Sequence, residues 1–195
     1  MRTVIVTGFL GSGKTTLLLQ LMRHLTSRQQ KFAVIINEVG DVGIDNQMLK
    51  QVGANVWEVL GGCICCTAVP GFERALDEAV IGYSPDYILV EPSGIARPED
   101  IIAIFDRRTK DQSDTFKSIA LVDGDRIDLL KKAVYPLLSS GIEVSGTILI
   151  TKTDVASPDK IKEAEDLVKE INPKADLINV TLTTDLEDSL LEGLL

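Results

Sequence analysis

The chain has 195 residues, 45% of them hydrophobic and 25% charged, a globular balance that argues against disorder or a low-complexity tail. A chain of this size buries roughly 70% of its unfolded surface, so it needs no disulfide staples. Twenty Lys and Arg stand against 29 Asp and Glu, a formal net charge of −9, which excludes a general phosphate-backbone binder and makes nucleic acid an unexpected partner.

The predicted elements alternate short β-branched runs with longer amphipathic ones, the pattern of βαβ units around a buried, mostly parallel sheet. Strands are expected at Thr3 to Thr7, Ala33 to Asn37, Asn55 to Val59, Tyr87 to Val90, Ser118 to Val122, Gly146 to Ile150 and Asp176 to Val180. Helices are expected at Lys14 to Ser27, Gly71 to Ile81, Asp125 to Ser139, Asp159 to Ile171 and around Leu186 to Leu194, several opened by Ser, Thr, Asp or Pro and closed by Gly or Asn. Pro92, Pro98, Pro158 and Pro173 fall at element ends, where a missing backbone donor costs little. No repeat, linker or composition break divides the chain. The expectation is one α/β domain over 1–195 with a doubly wound, mostly parallel sheet flanked by helices.

The first run ends in Gly8-Phe-Leu-Gly11-Ser12-Gly13-Lys14-Thr15, a full G-x-x-x-x-G-K-[ST] pattern between a strand and a helix. Glycines let successive amides face phosphate oxygens, and the following helix N-terminus adds positive potential. Lys14 then reaches the terminal phosphates and Thr15 offers a hydroxyl to Mg²⁺. Lys14 also interrupts the N-terminal apolar run, so no signal peptide is expected, and no run of about eighteen apolar residues suggests a membrane span.

Thr151-Lys152-Thr153-Asp154 follows the strand ending at Ile150. A carboxylate here accepts both N1–H and the exocyclic amine of guanine, whereas adenine offers no matching pair of donors, so the motif selects GTP over ATP. Thr151 stands where the usual guanine motif begins with Asn and lacks that residue's bracing amide. As a plain surface turn, the same four residues would leave Asp154 as a helix cap.

Two apolar strands end in acid followed closely by glycine, Tyr87-Ile-Leu-Val-Glu91-Pro-Ser-Gly94 and Ser118-Ile-Ala-Leu-Val-Asp123-Gly124. Either carboxylate suits a Mg²⁺-bound water near the phosphate loop, and Gly94 suits a backbone sensor of the γ-phosphate. Pattern alone leaves Glu91 and Asp123 as rivals, and a loop-capping acid is the plain alternative for both.

All three cysteines fall within Gly61-Gly62-Cys63-Ile64-Cys65-Cys66-Thr67. An odd number packed this closely is not a disulfide framework and points to a reducing, cytoplasmic compartment. Thiolates at i, i+2 and i+3 suit one soft ion such as Zn²⁺ with a fourth position left for exchange. A redox dithiol across Cys63 and Cys66 and buried inert cysteines are the competing readings. The loop after the second strand carries Glu38, Asp41 and Asp45, where a nucleotide-sensing switch belongs in a GTPase of this order, with a solvated acidic turn as the alternative. The lone His24 reads as surface or packing.

The series GFLGSGKTT, INEVGDVGID, GGCICCT, VEPSGIARP and ITKTD, in that order, resembles the GTPase domain of the CobW-like metallochaperone GTPases, relatives of UreG and HypB, across essentially the whole chain. The resemblance implies a SIMIBI-class P-loop domain that binds Mg²⁺ with GTP or GDP and hydrolyses GTP slowly. It further implies coupling of nucleotide state to delivery of Zn²⁺, Co²⁺ or Ni²⁺ to a client metalloprotein, in a metalloenzyme or cobalamin-related pathway, and a nucleotide-dependent homodimer. Residue by residue, it implies that Gly11, Ser12, Gly13, Lys14, Thr15 and Thr16 form the phosphate loop and Lys152 and Asp154 the guanine motif. Glu91 with Gly94, rather than Asp123, takes the strand-end acid role, and Cys63, Cys65 and Cys66 hold metal with Glu38 and Asp41 as acidic switch positions. Asp41 stands where the family usually has Glu. Many CobW-like proteins carry a second, C-terminal domain and a His-rich stretch; neither is expected in this chain. No Gln or Arg stands out as positioning the attacking water. A nucleotide-switched binding module with structural cysteines and a P-loop small-molecule kinase are the other function classes.

Overall fold

A computed structural model describes residues 1–36, 55–58, 69–92, 98–108 and 115–195. Glu38, Asp41, Asp45, Cys63, Cys65, Cys66 and Gly94 lie outside the described residues.

Among the described residues, seven strands form one sheet: β1 (Arg2–Gly8), β2 (Phe32–Ile36), β3 (Asn55–Glu58), β4 (Tyr87–Glu91), β5 (Thr115–Asp123), β6 (Thr147–Thr151) and β7 (Asp176–Asn179). Their spatial order is β3-β2-β4-β1-β5-β6-β7. Every pairing in it is parallel. The described helices are α1 (Lys14–Ser27), α2 (Val69–Tyr83), α3 (Pro98–Arg108), α4 (Ile127–Ala133), α5 (Tyr135–Glu143), α6 (Pro158–Ile171) and α7 (Asp188–Leu194). None of them is long and apolar enough to cross a membrane.

Strand alternation sends β-branched residues to both faces, so both must be covered. Val4 and Val6 of β1 pack with Leu17, Leu21 and Leu25 of α1 and with Leu191 and Leu194 of α7. Ile5, between them, faces the other way into a cluster with Phe72 and Leu76 of α2 and Ile101 and Ile104 of α3. Beyond β1, Ala120, Val122, Ile148 and Ile150 meet Ile127, Ile142, Ala164 and Leu167 from α4, α5 and α6. The sheet is therefore doubly wound, and its switch point lies at β1, with β4 on one side and β5 on the other. Ligands of such sheets sit beyond the carboxyl ends of the strands at that point.

All seven expected strands form, and two helical expectations change. The stretch expected as one helix over Asp125 to Ser139 is two, because Pro136 stands in the first turn of α5 and its ring and missing N–H cannot continue α4. Helix α3 was not expected, although Pro98 opens it, Glu99 and Asp100 occupy its first turn, and Ile101, Ile104 and Phe105 share its buried side.

Candidate nucleotide site

The loop between β1 and α1 is built for close approach. Gly8 has φ of 143°, Gly11 of 75° and Gly13 of 103°. A Cβ on Gly8 would stand 2.6 Å from Ser12 Oγ and 2.7 Å from the Leu121 carbonyl oxygen, so neither the backbone angle nor the space admits another residue there. Helix α1 opens on Gly13 with no side-chain cap, which leaves its first-turn amides to the loop's occupant. The Ser12 hydroxyl is buried and has no hydrogen-bond partner among the described residues. Both features suit an anion with several acceptor oxygens.

Two side chains at the start of α1 point toward the end of β4. Lys14 is buried, and its Nζ lies 3.9 Å from Glu91 Oε1. The Thr15 hydroxyl lies 3.3 Å from each oxygen of the same carboxylate. An amine, a hydroxyl and a buried carboxylate from residues up to 77 positions apart thus converge beside the loop. Thr16 is exposed on the outer side of the helix start.

The end of β5 serves a different group. Asp123 is fully buried; its Oδ2 takes Lys152 Nζ at 2.7 Å and Arg126 Nε at 2.6 Å, and its Oδ1 accepts the Arg126 backbone N–H at 3.2 Å. Burial pushes this carboxyl upward, but the hydrogen bonds and charges of Lys152 and Arg126 outweigh it and hold the group below its ordinary value. Arg126 continues past Asp123 and donates from Nη2 to the Leu10 carbonyl at 2.8 Å. Asp123 therefore ties the lysine of the TKTD segment to the phosphate loop. Lys152 is held at φ 60°, a conformation that costs a residue with a Cβ about 1–2 kcal/mol, and its side chain is anchored on Asp123.

Thr151, although not Asn, braces the loop. Its hydroxyl donates to the Ser12 carbonyl at 2.9 Å from inside the protein. Asp154 is exposed beyond β6, and the Thr183 hydroxyl donates to its Oδ2 at 3.5 Å. The hydroxyls of Thr153 and Thr181 meet at 2.8 Å. Sequence reasoning missed this second wall, residues 181–186, and also Arg126. The first carries no motif, and the second acts across 116 positions of chain. His24 is a packing residue: its buried ring lies between Asp188 Oδ1 at 3.1 Å and Glu192 Oε2 at 3.4 Å of α7.

The geometry therefore gathers Gly11, Ser12, Gly13, Lys14, Thr15, Glu91, Lys152 and Asp154 along the carboxyl edge of the sheet around its switch point. Similarity to known proteins agrees with that picture. The family model for the CobW/HypB/UreG nucleotide-binding domain matches residues 2–179. The zinc chaperone YjiA of Escherichia coli is 34% identical over 188 residues, covering 91% of this chain and 56% of its own. The zinc chaperone CobW of Sinorhizobium sp is 30% identical over 193 residues, with 84% and 54% covered. The chain thus spans about half the length of these curated relatives. The crystal structure of Zn(II)-bound YjiA GTPase from E. coli aligns with a TM-score of 0.69 at 26% identity, over 98% of this chain and 60% of that one. The hydrogenase maturation factor HypB of Archaeoglobus fulgidus shares the fold, with a TM-score of 0.71 at 19% identity over 100% and 88%. By matched family model, by sequence relatives and by fold, the chain belongs to the CobW/HypB/UreG nucleotide-binding domain family.

Proposed function

We propose that this chain binds GTP with Mg²⁺, hydrolyses it slowly to GDP, and couples that cycle to the handling of a transition metal, Zn²⁺ first, for a client metalloprotein. The observation that carries the reading is the convergence of Lys14, Thr15 and Glu91 beside a glycine-built loop, with Lys152 and Asp154 at the same edge. Oxygen donors from a threonine and a carboxylate suit Mg²⁺, which prefers hard ligands and keeps several waters. Thr15 would hold it directly and Glu91 through water, and the ion would neutralise charge on the β- and γ-phosphates. Lys14 and the loop amides, already aimed, stabilise charge that develops on the transferred phosphoryl group. Asp154 accepts the two donors of guanine, and the Lys152 stem lies along the base.

The metal handled by the protein is cargo. Cys63, Cys65 and Cys66, with the acidic switch positions Glu38 and Asp41, are its proposed ligands. Support comes from the thiolate spacing and from the relatives, which are zinc chaperones. Nucleotide state and metal affinity then alter each other by the same factor. A nucleotide-dependent homodimer and a cytoplasmic location belong to the same proposal.

The test is a titration of GDP, ADP and xanthosine diphosphate. The unmodified chain should prefer GDP, and Asp154→Asn should move the preference toward xanthosine diphosphate, whose 2-oxo group needs a donor. A chain that binds ADP as well as GDP refutes the guanine assignment. Titrating Zn²⁺ with and without a GTP analogue tests the coupling; equal affinities refute it, and a Cys65→Ser, Cys66→Ser variant with full Zn²⁺ affinity refutes the cysteine site.

A further inference from the structure

Helix α1 buries three polar side chains, Lys14, Gln20 and His24, among residues that otherwise pack into the core. Lys14 belongs to the phosphate site. Gln20 and His24, four positions apart, share one side of the helix. His24 meets α7, as described. Gln20 does something different. Its Nε2 donates to the Leu182 carbonyl at 3.4 Å and the Thr184 carbonyl at 3.1 Å, and its Oε1 accepts the Leu186 N–H at 2.8 Å. One amide thus uses both donors and an acceptor on a single stretch of irregular backbone.

The Leu182 and Leu186 side chains join the core around α1, and several other contacts of that stretch go to the nucleotide site. The Leu182 side chain lies against the phosphate loop, so close that a Cβ on Gly13 would stand 2.7 Å from its Cδ1. Thr181 meets Thr153, and Thr183 donates to Asp154. Thr183, Thr184 and Asp185 are exposed, so residues 183–185 contribute little apolar burial of their own to hold the loop. A buried amide is costly unless its partners are met, and here every partner lies on this wall.

We propose that Gln20 is a positioning residue for guanine recognition: without reaching the nucleotide, it fixes residues 181–186 so that Thr183 and Thr181 orient Asp154 and Thr153. The inference rests on the guanine reading above and adds to it a residue of the phosphate-loop helix on which base choice depends. Phosphate binding should change little, because Leu182, the wall residue that touches the phosphate loop, is also packed into the core around α1. Base discrimination should not.

The experiment measures affinities of the full chain for GDP and ADP, alongside its melting temperature. In Gln20→Leu, which matches the volume but pairs with nothing, the GDP-to-ADP affinity ratio should fall about tenfold or more, while ADP affinity stays within about twofold. Gln20→Glu keeps the acceptor for Leu186 N–H and loses both donors, and should lower the ratio in the same direction. A residue that merely supported the fold would lower the melting temperature and leave the ratio unchanged, and that result overturns the proposal. Should neither variant fold, amide exchange of the unmodified chain decides. GDP should protect residues 181–186 more than ADP does, and equal protection overturns the proposal. An unmodified chain without preference for GDP overturns the guanine reading instead, so the two failures are told apart.

Discussion

The carboxyl ends of β4 and β5 are alike in sequence and unlike in use. Each is a buried apolar run that closes on an acid, and each acid is less than a tenth exposed. Glu91 faces a lysine and a hydroxyl of α1 at 3.3–3.9 Å. Asp123 is closed by two cations at 2.6 and 2.7 Å. The first acid stands beside the start of α1 and the phosphate loop; the second is tied to two cations and suits scaffolding. What separates them is which neighbours the sheet order brings to each strand end, and the strands alone do not say.

The largest expected effect is on Glu91. Glu91→Gln keeps shape and removes charge, so Mg²⁺-dependent GTP turnover should fall by about 10²-fold or more, with Mg²⁺-free GDP affinity little changed. Steady-state phosphate release against Mg²⁺ concentration checks this. If Asp123→Asn instead produced the turnover loss at unchanged stability, the two acids would have exchanged roles.

Asp123→Asn should act first on stability. It leaves Lys152 and Arg126 beside a neutral group at a site where the strained Lys152 backbone depends on the pair. The expected cost is about 3 kcal/mol, the low end for breaking a buried pair, because Arg126 and Lys152 are themselves 33% and 37% exposed. That corresponds to a melting temperature lower by roughly 6–12 °C for a chain of this length, measured by calorimetry at neutral pH.

The seven strands were legible because β-branched runs between turn signals allow few other structures, and the phosphate loop and TKTD segment because each is a compact local pattern. The different surroundings of Glu91 and Asp123 were not, since both strands flank β1 and only the side chains brought to each acid, Lys14 and Thr15 or Arg126 and Lys152, set them apart. Gln20, Arg126 and Thr183 escaped for the same reason: each acts through contacts to backbone or side chains distant in sequence. Helix α3 was different, for its opening proline, acidic first turn and apolar spacing were all present in the sequence.

The same comparison has a pH form. The folded Asp123 carboxyl is held below its ordinary value of 3.8, so the stability it contributes is present above that value and is lost as pH falls through the lowered folded one. The gap in melting temperature between the unmodified chain and Asp123→Asn should therefore be full at pH 5 and above and narrow as pH drops below about 4. A gap constant down to pH 2 would mean that the ion pair is not its source.

The smallest effect belongs to the neighbour of this pair, Thr151. Its hydroxyl donates to the Ser12 carbonyl at 2.9 Å with both groups out of water, doing from β6 the bracing that an Asn amide supplies in the usual motif. Thr151→Val preserves the β-branched shape at the strand end and deletes the donor, leaving a buried carbonyl unpaired at a cost of about 1 kcal/mol. Nucleotide affinity should fall no more than about fivefold, since one link among several to the phosphate loop is lost. Thr151→Asn supplies donors again and should recover most of the difference in both stability and affinity. Were Thr151→Val indistinguishable from the unmodified chain, the bracing of the phosphate loop would fall to its other contacts, Arg126 at the Leu10 carbonyl and Leu182 against Gly13, rather than to β6.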